Sequence, residues 1–157
     1  MNSAIVIGRV GEGDAEALAA LHGKCFSTPW SAESFGALLK NANTLAYAAS
    51  RRGAPQLLEA YIVTRVAADE AEILTLGTTP RMRRTGLARA LVLAAAKELH
   101  ALGAMEIFLE VAANNVAARE LYIGVGFLAA GKRVGYYRDE GTLRDAMILR
   151  ASLPLER

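Results

Sequence analysis

The stretch with the most chemical potential in this sequence is Arg83-Arg84-Thr85-Gly86-Leu87-Ala88, where an apolar run gives way to a long helical pattern. A helix start leaves its first backbone N–H groups without intrahelical partners. Together with the helix dipole they form an anion site, and Gly86 lets a ligand come close to the main chain. Arg81, Arg83, Arg84 and Arg89 surround that point with guanidinium groups suited to phosphate oxygens, and Ala88 is small enough to leave room. No Gly-Lys-Ser/Thr follows, so this is not a Walker loop, and a dinucleotide fingerprint needs three glycines where this stretch has one. A solvated basic helix start with a turn glycine has the same composition, so on these residues alone both readings stand.

The elements that must position this loop follow from periodicity. Ala4 to Val10 predicts a strand, and Asp14 is placed to cap a helix carrying Leu18, Leu21 and Cys25 at helical spacing. Ser31 caps a second helix, with Ser34 where a full capping box has Glu, and Phe35, Leu38 and Leu39 form its apolar face. Strands are predicted over Thr44 to Ser50, Gln56 to Val66 and Glu70 to Thr78. The loop then opens the longest helix, Leu87 to Leu102, striped by Leu87, Leu91, Ala95, Leu99 and Leu102 and closed by Gly103. Met105 to Val111 alternates as a strand, with Glu106, Phe108 and Glu110 on one face. Asn115 to Ile123 is a shorter helix, another strand begins over Val125 to Leu128, and Asp145 to Leu149 is the last. Between them, the glycines and many charges of Gly131 to Arg144 predict a hairpin loop. Hairpins early and a crossover late imply a mixed α/β sheet in one domain over residues 1–157.

Composition bounds the partners. The 157 residues are 53% hydrophobic and 22% charged, which excludes disorder. The one cysteine, Cys25, excludes an internal disulfide framework and a cysteine-based zinc cage. His22 and His100 have no partners at metal or triad spacing, so no metal is expected. A net charge of +2, from 18 basic against 16 acidic residues, does not argue for nucleic acid. The N-terminus lacks a basic signal-peptide region, and the longest apolar run, Ala90 to Ala96, is far short of the ~20 residues that span a bilayer. The expected setting is the cytoplasm, away from membranes.

Arg83-x-x-Gly86-x-Ala88 after a strand resembles the acetyl-CoA motif of the GNAT superfamily of N-acetyltransferases, Gln/Arg-x-x-Gly-x-Gly/Ala. Leu109-Glu110-Val111, Asn115, Leu121-Tyr122 and Gly126-Phe127 are spaced as in the later half of that family. Pro29-Trp30-Ser31, Glu72 to Thr78, Tyr136-Tyr137 and Arg144-Asp145-Ala146 are similar to residues of the bacterial ribosomal-protein alanine N-acetyltransferases. The resemblance covers nearly the whole chain and is strongest from Glu72 to Leu149.

That resemblance implies the GNAT fold: a central, mostly antiparallel sheet flanked by about four helices, with one parallel, splayed strand pair holding acetyl-CoA as co-substrate. It implies backbone contacts from Leu76, Gly77 and Thr78 to the acetyl and pantetheine portion, although Gly77 and Thr78 depart from the commoner Ala-Val. The amides of Arg84, Thr85, Gly86, Leu87, Ala88 and Arg89 would hold the pyrophosphate with Arg83 beside them, and Asn115 would bond the pantetheine arm or serve as a helix N-cap. It implies Tyr122 as general acid. Asn115 and Tyr122 are seven residues apart and nearly eclipsed on a helix, with Ala118 between them, so one ligand arm could reach both; a core tyrosine is the alternative.

It also implies Glu110 as general base. An α-amine titrates at about 7.7–8.0, so a modest base suffices; an exposed strand-end carboxylate is the alternative. Direct attack on a thioester needs no enzyme nucleophile, and Cys25 on its apolar stripe is a core residue. Trp30 either covers the core or walls the acceptor site with Tyr136 or Tyr137. The implied acceptor is a protein N-terminal α-amine, the alanine of a small-subunit ribosomal protein. A small-molecule amine or a non-catalytic acyl-CoA-binding role are the alternatives. The 131–144 stretch and its flank offer Asp139, Glu140 and Asp145 against Lys132, Arg133, Arg138 and Arg144, so charge alone does not select a basic peptide.

Overall fold

Alternating apolar positions put seven strands into one sheet with helices on both faces. The computed structural model describes residues 4–139 and 142–156, with 136–139 and 142–144 described by backbone alone. The elements are β1 (Ile5–Val10), α1 (Ala15–Cys25), α2 (Ala32–Lys40), β2 (Thr44–Arg51), β3 (Ala54–Ala67), β4 (Glu70–Thr78), α3 (Leu87–Ala101), β5 (Glu106–Ala112), α4 (Val116–Gly124), β6 (Leu128–Asp139) and β7 (Thr142–Ser152). Strand order is β1-β2-β3-β4-β5-β7-β6, and every pairing is antiparallel except β4 with β5. That parallel pair needs a crossover, which α3 supplies.

Each face has its own core. On one, α3 presses Leu91, Val92, Ala95, Ala96 and Leu99 onto Ile62, Ile73, Ile107 and Leu109, all buried. Burying each such leucine or isoleucine contributes about 1.5–3 kcal/mol. On the other, Leu18 and Leu21 of α1 and Phe35 of α2 cover Ala46, Ala48, Tyr61 and Val63. Ser31 caps α2 as expected, accepting the Ser34 N–H at 3.1 Å. Asp14 is the N-cap residue of α1 as expected, but its side chain makes no capping bond; its carboxylate accepts the Gly11 N–H at 2.9 Å and closes the turn before the helix.

Within the expected hairpin loop over Gly131 to Arg144, the described residues are instead strand. β6 runs to Asp139 and β7 starts at Thr142, with Tyr137 opposite Arg144 and Asp139 opposite Thr142. The charges misled because this ribbon lies at the sheet edge, where polar side chains are tolerated. Two register shifts, at Ala129/Gly131 and Arg133/Tyr137, break the alternation that would have marked it.

Irregularity also shapes the middle of the sheet. β4 and β5 pair only from Glu70–Glu106 to Ile73–Leu109, although β4 runs on to Thr78 and β5 to Ala112. Opposite β3, Val63 faces Thr75 and Thr64 faces Ile73, which leaves Leu74 as the extra residue of a bulge. A bulge bends its strand. β4 therefore turns away from β5 one residue beyond their last pair, while it stays bonded to β3 through Thr78. The result is a V-shaped opening between two strands in the centre of the sheet.

Gly77 permits the close packing of the bent segment. A Cβ there would lie 2.6 Å from Tyr61 Cε1 and 3.1 Å from Cys25 Sγ. Tyr61 is fully buried and its hydroxyl pairs with Thr75 Oγ1 at 2.9 Å, so it has no retreat. Gly77→Ala is expected to destabilise the fold by about 1–3 kcal/mol through overpacking, read as a lower urea midpoint at unchanged slope.

Candidate active site

The turn into α3 leaves β4 at the open end of the V. After Thr79, a short 3-10 turn (Pro80–Met82) leads to extended Arg83. Arg84 then takes φ +63°, the left-handed region, and Gly86 takes φ +87° as the residue before α3. A non-glycine residue there costs roughly 1–3 kcal/mol and persists only where its surroundings over-determine it. Thr85 Oγ1 donates to the Met82 carbonyl at 2.5 Å and the Ala90 N–H bonds Gly86 O at 3.0 Å. Among the described residues, the amides of Arg84 to Arg89 have no main-chain acceptor. They form an N–H cradle at a fifteen-residue helix, and Arg83, Arg84 and Arg89 are exposed around it. Free amides at a helix start are the kind of group that binds an anion.

Arg81 does not join it. Its guanidinium turns to the buried Glu59 carboxylate, so the four-arginine cluster of the sequence divides in space. Arg84 reaches Glu120 of α4 at 4.0 Å in an exposed pair. Leu76, Gly77 and Thr78 lie on the β4 arm of the V, beyond its last bond to β5.

Glu110 is the first β5 residue past that last pair. Its neighbours Leu109 and Val111 belong to the α3-side core, so Glu110 faces the α1/α2 side. It is partly exposed and ion-paired with Arg133 of β6 at 3.0 Å. Tyr122 of α4 belongs to the α3-side core, is 5% exposed, and meets Phe127 edge to face at 5.4 Å. The carboxylate and the phenol thus lie towards opposite faces of the sheet. Asn115 is the N-cap of α4, its Oδ1 accepting the Ala118 N–H at 3.2 Å, and its amide nitrogen remains a donor on the same helix face as Tyr122.

Trp30 is 37% exposed, with its ring stacked on His22 at 5.1 Å and tilted against Phe35 at 5.5 Å. It covers the core and still presents a free edge. The side chains of Tyr136 and Tyr137 lie outside the described residues, as do those of Arg138, Asp139, Glu140 and Arg144. Asp145 is occupied by Lys132 at 2.9 Å and by the Gly135 N–H at 2.9 Å; that N–H and the lysine hold its carboxyl below the usual range. Cys25 packs in the α1/α2-side core, and its thiol also donates to Thr78 O at 3.4 Å; burial pushes its pKa up. Among the described residues, no three His, Cys, Asp or Glu side chains cluster to hold a metal ion, and no helix is long and apolar enough to cross a membrane.

The sequence profile of the acetyltransferase (GNAT) family matches residues 15–127, from α1 through the opening to Phe127. The chain belongs to the acetyltransferase (GNAT) family. It is an acetyl-CoA-dependent N-acetyltransferase. It is 34% identical over 127 residues to the ribosomal protein bS18-alanine N-acetyltransferase of Escherichia coli strain K12, covering 81% of this chain and 82% of that one. It is 32% identical over 152 residues to the N-alpha-acetyltransferase RimI of Mycobacterium tuberculosis, covering 93% and 91%. A crystal structure of the Escherichia coli ribosomal-protein alanine N-acetyltransferase superposes with TM-score 0.88 at 28% identity, covering 98% and 97%.

Two GNAT site neighbours carried no signal in the sequence. Glu59 sits mid-strand on β3, and its partners are remote in the chain. His22, without a role by spacing, is 3% exposed, stacks between Phe26 (4.4 Å) and Trp30, and accepts the Trp30 N–H on Nδ1 at 3.1 Å. Burial lowers its pKa, so the folded ring resists a proton that the unfolded one accepts at about 6.5. The stability this adds is present above about pH 6.5 and falls as pH drops towards the folded pKa. Trp30 is the sole tryptophan, so its emission reports on this contact. Melting temperature is expected to hold from pH 8 to 7 and to fall below about 6.5, with Trp30 emission of the folded protein changing only at a lower pH, where the folded ring itself takes a proton. His22→Gln, which keeps an acceptor, is expected to flatten the melting-temperature curve; a wild-type curve no steeper than that of the variant below about pH 6.5 would contradict the assignment.

Proposed function

We propose that this enzyme acetylates a protein N-terminal α-amine, with the N-terminal alanine of a small-subunit ribosomal protein as its acceptor and the cytoplasm as its site of action. Supporting the acceptor are the relatives that act on ribosomal protein bS18 alanine. Supporting the chemistry is the opening between β4 and β5, with Glu110 the first β5 residue past the last pair and Tyr122 of α4 in the core on the other face.

Bound acetyl-CoA supplies an activated acetyl thioester. In this reading the amides of Arg84 to Arg89 bind the pyrophosphate, with Arg83 beside them. Leu76 to Thr78 offer main-chain groups to the acyl and pantetheine arm, as an extra strand would, and the Asn115 amide donates to it. The neutral acceptor nitrogen attacks the acyl carbon, and Glu110 takes the proton that the nitrogen loses as the new amide bond forms. Tyr122 gives its phenolic proton to the departing sulfur. Trp30, with Tyr136 and Tyr137, walls the acceptor side.

The test combines two variants with an acceptor panel. Glu110→Gln and Tyr122→Phe are each expected to lower kcat at least about tenfold, the low end for a positioned acid or base, with acetyl-CoA affinity within about twofold. Unchanged turnover in both would remove the assigned roles. Mass spectrometry of alanine-starting ribosomal peptides against N-terminally blocked lysine peptides and polyamines is expected to show acetylation of the free α-amine alone. Success only on a small amine would overturn the acceptor.

A further inference from the structure

Glu59 is 1% exposed, the most deeply buried charged side chain among the described residues, and no step above uses it. Its carboxylate is fully engaged. Oε1 accepts from Arg51 Nε at 3.0 Å and from Arg81 Nη2, and Oε2 accepts from Thr79 Oγ1 at 2.9 Å and Arg81 Nε at 3.3 Å. Its main-chain oxygen takes the Thr79 N–H at 2.8 Å. Burial alone would push its pKa up, but the hydrogen bonds from Arg51, Thr79 and Arg81 outweigh it and leave the pKa below the ordinary value. With every acceptor direction used, it is not a base in waiting. Removing one partner of such a buried pair is costly, because an uncompensated charge remains.

The partners come from three segments: Arg51 from the end of β2, Thr79 from the residue after β4, and Arg81 from the turn that follows. Two of the three therefore lie on the connection to α3, ahead of the left-handed Arg84 and Gly86. That conformation needs a fixed approach. Hydrogen bonds within the turn, Met82 N to Thr79 O at 2.9 Å and Thr85 Oγ1 to Met82 O, relay the position of Thr79 to the cradle.

We propose that Glu59 is a positioning residue for the phosphate end of acetyl-CoA: by clamping Thr79 and Arg81 to the sheet it holds the 83–89 turn in the shape that presents its amides. Arg81 is then the counterion of Glu59 rather than a phosphate ligand. This rests on the reading of the turn as the pyrophosphate cradle.

Glu59→Gln keeps the side-chain shape and removes the charge. Arg81→Gln changes an exposed partner and puts less demand on folding. Each variant is checked for a cooperative melt, titrated calorimetrically with acetyl-CoA, and assayed with acetyl-CoA and with S-acetylpantetheine, a donor without phosphates. Both variants are expected to weaken acetyl-CoA binding by about tenfold, equivalent to about 1.4 kcal/mol, with acceptor KM and kcat/KM for S-acetylpantetheine within about twofold of wild type. Equal losses with both donors would mean a merely structural role and overturn the proposal. Tighter acetyl-CoA binding by Glu59→Gln would show that Arg81 had been withheld from the phosphates, which also overturns it. Wild-type affinity in both variants defeats this inference alone. A wild-type protein that does not bind acetyl-CoA defeats the cradle reading and this inference with it.

Discussion

The parallel ladder between β4 and β5 ends at Ile73–Leu109 while both strands continue, and the rest of the site depends on that divergence. Each strand keeps its outer neighbour, β4 with β3 and β5 with β7, so the sheet stays continuous around the gap. Main-chain groups that turn into the gap lose the partner a closed ladder would give them. An extended ligand arm carrying its own amides is a chemical match for such groups. The bulge at Leu74 opens the gap and Gly77 lets the bent arm settle against Tyr61, so one extra residue and one missing side chain create the cleft.

Charge is arranged around this opening in two regimes. At the surface, Arg83, Arg84 and Arg89 stay solvated, and the 4.0 Å pair of Arg84 with Glu120 is of the exposed kind that contributes little. Beneath them, Arg81 and Arg51 meet a carboxylate excluded from water, where the same attraction acts through a lower dielectric. Neighbours in sequence therefore sit in different surroundings: one arginine is tied into the frame and the others remain at the surface.

Local signals in the sequence carried far. Gly86 at a strand-to-helix turn, the Ser31 cap and the alternation that turns Glu110 away from the core are all set by residues close in the chain, and each appears as expected, as does the α3 stripe from Leu87 to Leu99, whereas Leu102 falls past the helix end and is exposed. What failed to show was non-local. Glu59 looks like any solvent-facing residue of a half-buried strand until Arg51 and Arg81 are brought beside it across β2 and the turn. His22 has no sequence partner because its ligand is a backbone N–H, which every residue but proline carries. The β6–β7 ribbon was lost for the opposite reason: its pairing is regular over much of its length, but bulges and edge charges erase the pattern that announces a strand.

The ion pair between Glu110 and Arg133 bears on which amines the site favours. A guanidinium 3.0 Å from the carboxylate disfavours a second, permanent cation beside it, and it disfavours a neutral amine far less. At pH 7.5 an α-amine with pKa about 7.7–8.0 is neutral in roughly a quarter to two-fifths of molecules. A lysine ε-amine at about 10.4 is neutral in about one in a thousand. If Glu110 is the base, as proposed above, the Arg133 beside it favours acceptors that are often neutral, N-terminal amines over lysine side chains or polyamines. On that proposal no acidic groove is needed to select the acceptor, which agrees with the Asp145 carboxylate being paired with Lys132 and the Gly135 amide.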